Sequence, residues 1–368
     1  MTKKAPEHKN APFHRRSSRI ERRIARVGSL AFMCGACTYL LTWVLDYESN
    51  ILIFLANVFA PALLVLLIGV SVVAELYALI SGRKRRPRDL AVRYTMLLAA
   101  LVPTVGGEVR SGMLSFAQTS PAGSIKVTML NANLLGSADL RDDFYDTVDH
   151  LNPDIITLQE LNPTVARRLV ERIGNRYACQ DVEPRAGVQG MGILSKYPCS
   201  PRDLTGFSPG IGLPQIADVR ISASQIISVI NVHTIPPHTL IKNTEHDNEI
   251  QQLSNAVVER ERFIRELVEI AKEIPTDTII LAGDMNSTSR NRVYKIIRNL
   301  GFSDAWTAGS RLRGGTWPGP DFPLPSWLVR IDFIFHTKGL VATHADTLPE
   351  GYGSDHRGVF ATFALGAN

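Results

Sequence analysis

The chain has 368 residues, enough for one large domain and additional segments, with 40 Lys and Arg against 35 Asp and Glu and four cysteines. The net charge of +5 is uneven: residues 1–110 hold 16 basic and 7 acidic side chains, and the remaining 258 residues hold 24 and 28. A basic surface extending over the whole chain is thereby excluded, because the C-terminal two thirds are mildly acidic.

The N-terminal third reads as a membrane module. Residues 1–26, rich in Lys, Arg and His, predict a disordered, basic cytoplasmic tail. Residues 27–45 carry no charge, and residues 51–80 are apolar except at Asn57, Pro61 and Glu75. Either run is long enough to cross roughly 30 Å of hydrocarbon. The cluster RKRRPR at residues 83–88 follows. A third, weaker apolar stretch at 91–109 has Arg93 at its start and Pro103 inside, and is read as a third crossing with an interfacial helix as the alternative. Basic clusters stay in the cytoplasm, so the acidic link at 46–50 is expected outside. Three crossings then put everything after about residue 110 outside, beyond a linker at 110–124. A cleaved signal peptide does not fit, since more apolar runs follow the first.

Cys34 and Cys37 fall inside the first apolar run, where small packing residues are expected rather than a metal or redox motif. Cys179 and Cys199 lie in the exported part, where a bridge is permitted and two free thiols are equally compatible with the sequence.

From residue 125 to 368, strands alternate with helices in an α/β manner. Strands are predicted at 125–130, 155–158, 177–182, 191–194, 216–221, 226–232, 279–282, 331–335 and 358–363. Helices are predicted at 139–151, with Asp139 as the capping acid, at 246–274 and near 290–300. The stretch TDTIILAGDMNS, ending at Ser287, is the centre of the pattern: a short buried strand runs into Gly283, and Asp284 and Asn286 project just beyond it. The same arrangement recurs. Strands end at Asn131, at Gln159-Glu160 and at His233, and Ser354-Asp355-His356 precedes the final strand. One layered sheet could bring these ends to a common rim. Carboxylates with amides, and no Cys/His cluster, select a hard divalent cation, Mg²⁺ or Mn²⁺, held by oxygen.

These residues resemble the endonuclease/exonuclease/phosphatase superfamily, the DNase I-like fold. The resemblance rests on MLNAN around Asn131, TLQE around Glu160, GILSKYP at residues 192–198, NVHT around His233, GDMNS, RIDFIF around Asp332, and SDH at 354–356. It covers about residues 125–364 and implies a four-layer α/β sandwich of two packed sheets, preceded here by transmembrane helices. It also implies a metal-dependent phosphoric ester hydrolase. Glu160 looks like the principal metal ligand, with Asn131 and Asp355 nearby. Asp284 looks like the residue that orients or deprotonates water, Asn286 and His233 like donors to phosphate oxygens, and His356 like the essential imidazole, oriented by Asp332. Asn133 stands where many nucleases of the family carry Asp, which leaves its part in metal binding open.

The substrate class follows from the tether. A membrane-held enzyme gains effective concentration on a lipid-borne phosphate ester and little on diffusing DNA. The expected partners are the bilayer and a lipid or envelope head-group, with nucleic acid as the alternative. A loop at 311–330, with Arg311, Arg313, Arg330, Trp317, Phe322 and Trp327, is either a substrate-side rim or a structural loop with its aromatics turned inward.

Overall fold

The computed structural model describes residues 13–45, 47–82, 87–110, 120, 122–204, 207, 211–236, 249–308, 314–320 and 329–366. Residues 1–12, most of the linker, and Arg311, Arg313, Phe322 and Trp327 lie outside them.

Three helices come first: α1 (Phe13–Val44), α2 (Ile51–Ile80) and α3 (Pro87–Arg110). Each contains a run long and apolar enough to cross a membrane. The first helix begins at Phe13, inside the stretch expected to be disordered. That segment contains no Gly or Pro before Gly28, and extending an existing helix costs far less than nucleating one. Asn50 caps α2, accepting from the Leu52 N–H at 2.7 Å. Arg93 of α3 pairs with Glu75 of α2 at 3.0 Å.

The remaining elements are β1 (Ile125–Asn133), α4 (Asp142–Leu151), β2 (Ile155–Gln159), α5 (Pro163–Ile173), β3 (Cys179–Glu183), β4 (Met191–Ser195), β5 (Cys199–Pro201), β6 (Gln215–Arg220) and β7 (Ile226–His233). They continue with α6 (Glu249–Glu273), β8 (Ile279–Asp284), α7 (Arg292–Asn299), β9 (Ser303–Asp304), β10 (Asp332–His336), β11 (Leu340–Thr347) and β12 (Val359–Leu365). Helix α4 starts three residues later than expected, because the Asp139 carboxylate is held by Arg168 of α5 at 2.5 Å and does not cap it. Helix α5 and strands β5, β9 and β11 have no counterpart in the predicted elements.

The strands form two six-stranded sheets, ordered β11-β12-β1-β2-β4-β3 and β5-β6-β7-β8-β10-β9. Alternation along the strands builds the layers. Ile227, Val229, Ile280 and Ala282 face the other sheet, where they meet Val127, Met129 and Ile155. Ile230, Val232, Ile279 and Leu281 face α6 and α7. On the far side, Leu130, Ile156 and Leu158 pack against α4 and α5. The result is a four-layer α/β sandwich. Cys179 and Cys199 form a disulfide with Cα atoms 5.5 Å apart, joining the edge strand of one sheet to that of the other.

The sandwich rests on the second of these apolar helices. Ile51, Phe54 and Val58 of α2 pack against Val257 of α6 and against Val329 and Ile331. Pro61 has no N–H to offer the carbonyl of Asn57 four residues earlier, and Arg290 Nε donates to that carbonyl at 2.8 Å. Glu48, buried in the link between α1 and α2, accepts from Asn57 Nδ2 at 2.7 Å, Asn291 Nδ2 at 3.0 Å and the Arg292 N–H at 3.2 Å. Burial raises the Glu48 carboxyl to about 7, against these donors.

Candidate active site

Parallel pairing creates the site. Strands β1 and β2 run parallel in one sheet, with Asn133 opposite Gln159, and β7 and β8 run parallel in the other, with His233 opposite Asp284. Four strand ends of one polarity therefore converge on one edge. Strand β10 is antiparallel to β8, so its first residue, Asp332, faces Asp284 at the same rim. Gly283 is required where β8 reaches that rim: its φ is +152°, and a Cβ would lie 1.8 Å from the Val232 carbonyl oxygen.

The side chains form one hydrogen-bonded network. Asn133 Nδ2 donates to Glu160 Oε1 at 3.1 Å and to Asp284 Oδ2 at 3.0 Å, joining the acids of the two sheets. The Gly136 N–H donates to Glu160 Oε2 at 2.9 Å. Asp284 also accepts from the Asn286 N–H at 2.8 Å. Glu160 and Asn286 hold φ of +55° and +43°, left-handed conformations that cost non-glycine residues on the order of 1 kcal/mol each. His356 Nδ1 sits 2.9 Å from Asp332 Oδ2, and its Nε2 lies 3.8 Å from Asp284 Oδ2. The imidazole of His233 lies 3.6 Å from Asp284 and 3.8 Å from Glu160, and neither ring nitrogen has a hydrogen-bond partner among the described residues.

Burial raises the Asp284 carboxyl above its ordinary value, and the neighbouring Asp332 adds to the effect. For His356, burial opposes protonation, but the charges of Asp332 and Asp284 outweigh it and raise the imidazole to about 10.

Asp284, Asp332 and His356 bring one donor atom each within 4.8 Å, a grouping that could hold a metal ion. An ion seated there would compete with the Asp332–His356 hydrogen bond. Glu160 and Asp355 offer carboxylate oxygens in the lining of the cavity that Asp284 and His356 also line, and this oxygen set fits a hard cation.

Of the residues singled out in the sequence, Glu160, Asp284, Asn286, Asp355 and His356 line one cavity of about 520 Å³. His233 and Asp332 touch those residues from beneath. Asn131 is not brought into the cavity: its Oδ1 accepts from Thr157 and Gln159, both at 2.9 Å, and Gln159 bonds onward to Asn231 of the other sheet at 2.6 Å. Trp317 faces the cavity and donates to Asp355 Oδ2 at 3.2 Å. Arg330 is held by Asp304 at 2.6 Å and lies over the Phe333 ring.

Two participants escaped the sequence reading. Asn133, left open there, is the link between the two sheets' acids. Arg260 is buried in α6 and donates to the carbonyls of Ile235 and Asn286, at 2.7 and 3.0 Å, and to Ser287 Oγ at 3.2 Å. Burial lowers its guanidinium to about 10, so it remains a cation at neutral pH. The available signal was its position: Arg260 interrupts the apolar stripe of Val257, Ile264 and Leu267.

A sandwich of this topology, with acids, amides and imidazoles on one rim, has the architecture of the DNase I-like class. Residues 129–356 match the family model described as Endonuclease/Exonuclease/phosphatase family, and the chain belongs to that family. Its members hydrolyse phosphate esters. A solved family protein from Bacteroides thetaiotaomicron is similar at 15% identity, covering 67% of this chain and 100% of its own, with a TM-score of 0.51. One from Bacteroides vulgatus is similar at 16% identity, covering 66% and 100%, with a TM-score of 0.49. D. rerio TDP2 complexed with a single-strand DNA product is similar at 19% identity, covering 65% and 98%, with a TM-score of 0.46. No curated protein matches the chain.

Proposed function

We propose that this protein is a membrane-anchored, divalent-metal-dependent phosphodiesterase that hydrolyses the phosphate ester of a lipid or envelope head-group on the extracytoplasmic side. The observation that carries the substrate class is the cavity's composition: its described lining contains four carboxyl, amide or imidazole groups beside Asp355, several apolar side chains, and no Lys or Arg. A nucleic-acid substrate demands cations along its backbone.

In this reading Glu160 and Asp355 hold Mg²⁺ or Mn²⁺, and Asn131 acts through Gln159 by fixing the ends of β1 and β2. A bound cation supplies charge neutralisation at the phosphoryl oxygens. Asp284, its carboxyl raised by burial, orients the attacking water and accepts its proton. The protonated imidazole of His356, aligned by Asp332, donates through Nε2 to the phosphoryl group. His233, with both ring nitrogens unpartnered among the described residues, and Asn286 donate to the remaining oxygens.

Sidedness rests on two supports. The sandwich meets the link between α1 and α2 through Glu48, while the basic cluster falls in the sequence between the end of α2 and the start of α3. The Cys179–Cys199 disulfide suits an oxidising compartment.

The test uses the full-length protein in detergent micelles with Mg²⁺ or Mn²⁺, offered phosphatidylglycerol and phosphatidylethanolamine in one arm and plasmid DNA in the other. EDTA-sensitive release of a lipid head-group is expected. Plasmid cleavage with the lipids untouched would overturn the substrate assignment, and a C-terminal reporter active only in the cytoplasm would overturn the sidedness.

A further inference from the structure

We propose that α2 is part of the active site: its first turns form the wall against which the hydrocarbon portion of the substrate lies, so that a lipid is cleaved without leaving the bilayer. This rests on the lipid reading above and adds the route by which the substrate reaches the acids.

Three observations carry it. Phe54, Leu55, Val58 and Phe59 of α2 line the same cavity as Glu160 and Asp284. The cavity is thus amphipathic, with an ionisable floor and a wall contributed by a helix that continues into an apolar span. Phe54 and Val58 are buried by the sandwich, but Leu55 is 38% and Phe59 43% exposed. Those two side chains are not used up by protein packing.

The second observation is length. Thirty residues of α-helix extend about 45 Å at 1.5 Å per residue, against roughly 30 Å of hydrocarbon. About ten residues therefore stand clear of the bilayer core. The buried positions of α2 fall between Ile51 and Pro61, which is the length in excess.

The third is continuity. Leu55, Phe59, Leu63 and Leu66 follow at intervals of four, four and three residues, which keeps them on one helix face, and all four are exposed. The stripe runs from the cavity toward the membrane-spanning part of α2. An acyl chain laid along it stays on apolar surface while its phosphate reaches the rim. A free, water-soluble phosphate ester gains nothing from such a stripe.

The experiment compares full-length wild type with Leu55→Gln/Phe59→Gln and with Leu52→Gln as control. Leu52 is 62% exposed on the same helix and does not line the cavity. Turnover is measured on phosphatidylglycerol in mixed micelles and on bis(4-nitrophenyl) phosphate in the same detergent, with thermal unfolding as the check on folding. The double variant should lose on the order of 10-fold more turnover on the lipid than on the soluble diester, the scale set by removing two half-exposed apolar side chains from the surface that an acyl chain would cover. Its unfolding temperature should stay at the wild-type value, and Leu52→Gln should match wild type on both substrates. Equal losses on both substrates, or a lipid rate at the wild-type level, would overturn the role of α2 while leaving the lipid assignment in place. Wild type that cleaves plasmid DNA and no lipid would instead overturn the assignment on which this inference rests.

Discussion

Asp332 and His356 should act as one unit, and replacing either or both separates activity from stability in a distinctive way. Asp332 is 1% exposed; its Oδ2 meets His356 Nδ1 at 2.9 Å, and its Oδ1 has no partner among the described residues. His356→Ala therefore leaves a buried carboxylate facing Asp284 with no side-chain donor. Removing one partner of a buried ion pair costs about 3–5 kcal/mol. In a domain of this size that lowers the unfolding temperature by roughly 10 °C. Asp332→Asn on top of His356→Ala removes the orphaned charge, so the double variant should unfold at a higher temperature than His356→Ala alone. Activity should behave differently. His356→Ala should lose on the order of 10²-fold in turnover, the value expected for one acid or oxyanion-stabilising group. Asp332→Asn should lose about tenfold, because the carboxylate works only through the imidazole it orients. Independent effects would multiply to about 10³-fold, whereas the unit predicts a double variant near 10²-fold, a coupling of about 1.4 kcal/mol. The measurements are steady-state turnover of bis(4-nitrophenyl) phosphate by the full-length protein with Mg²⁺, and unfolding followed by tryptophan fluorescence. Losses that multiply, with a double variant no more stable than His356→Ala, would refute the pairing.

Glu160→Gln preserves the side chain's shape and removes its charge, so the variant should fold normally and need a higher Mg²⁺ concentration for half-maximal activity; a titration superimposable on wild type would remove Glu160 from the metal site. Glu48 provides a pH signature. Its carboxyl is raised to about 7 by burial, so its contribution to stability is complete below the ordinary value of 4.5 and is lost as pH rises through about 7. The loss is of the order of 3 kcal/mol. Glu48→Gln should flatten the fall in unfolding temperature between pH 5 and pH 8; parallel pH profiles for variant and wild type would show that Glu48 ionises freely.

Much of the molecule was legible from local sequence. The apolar runs within α1 to α3 are legible as long, nearly uncharged stretches, and β7 and β8 as brief β-branched runs ending in a polar residue. Glu160, His233, Asp284 and His356 were recognisable because each follows or precedes such a run, and a strand delivers its last residue to the sheet edge. Short strands such as β5 and β9 were not, because they form by pairing with partners far along the chain and carry too few residues for a periodic signal. The amide beside the acids is not the one expected: the sequence put Asn131 near the metal and left Asn133 open, and only the register of β1 with β2, and the approach of β8 from the other sheet, puts Asn133 between Glu160 and Asp284. Nothing in the order of residues joins Phe54 to the cavity of Glu160 and Asp284, or Glu48 to Asn291 and Arg292. That junction arises because Pro61 frees a backbone carbonyl, Arg290 fills it, and the sandwich settles on the first turns of α2. Local patterning thus determined the elements and most of the chemical groups, while tertiary packing decided which groups touch and that α2 lines the cavity.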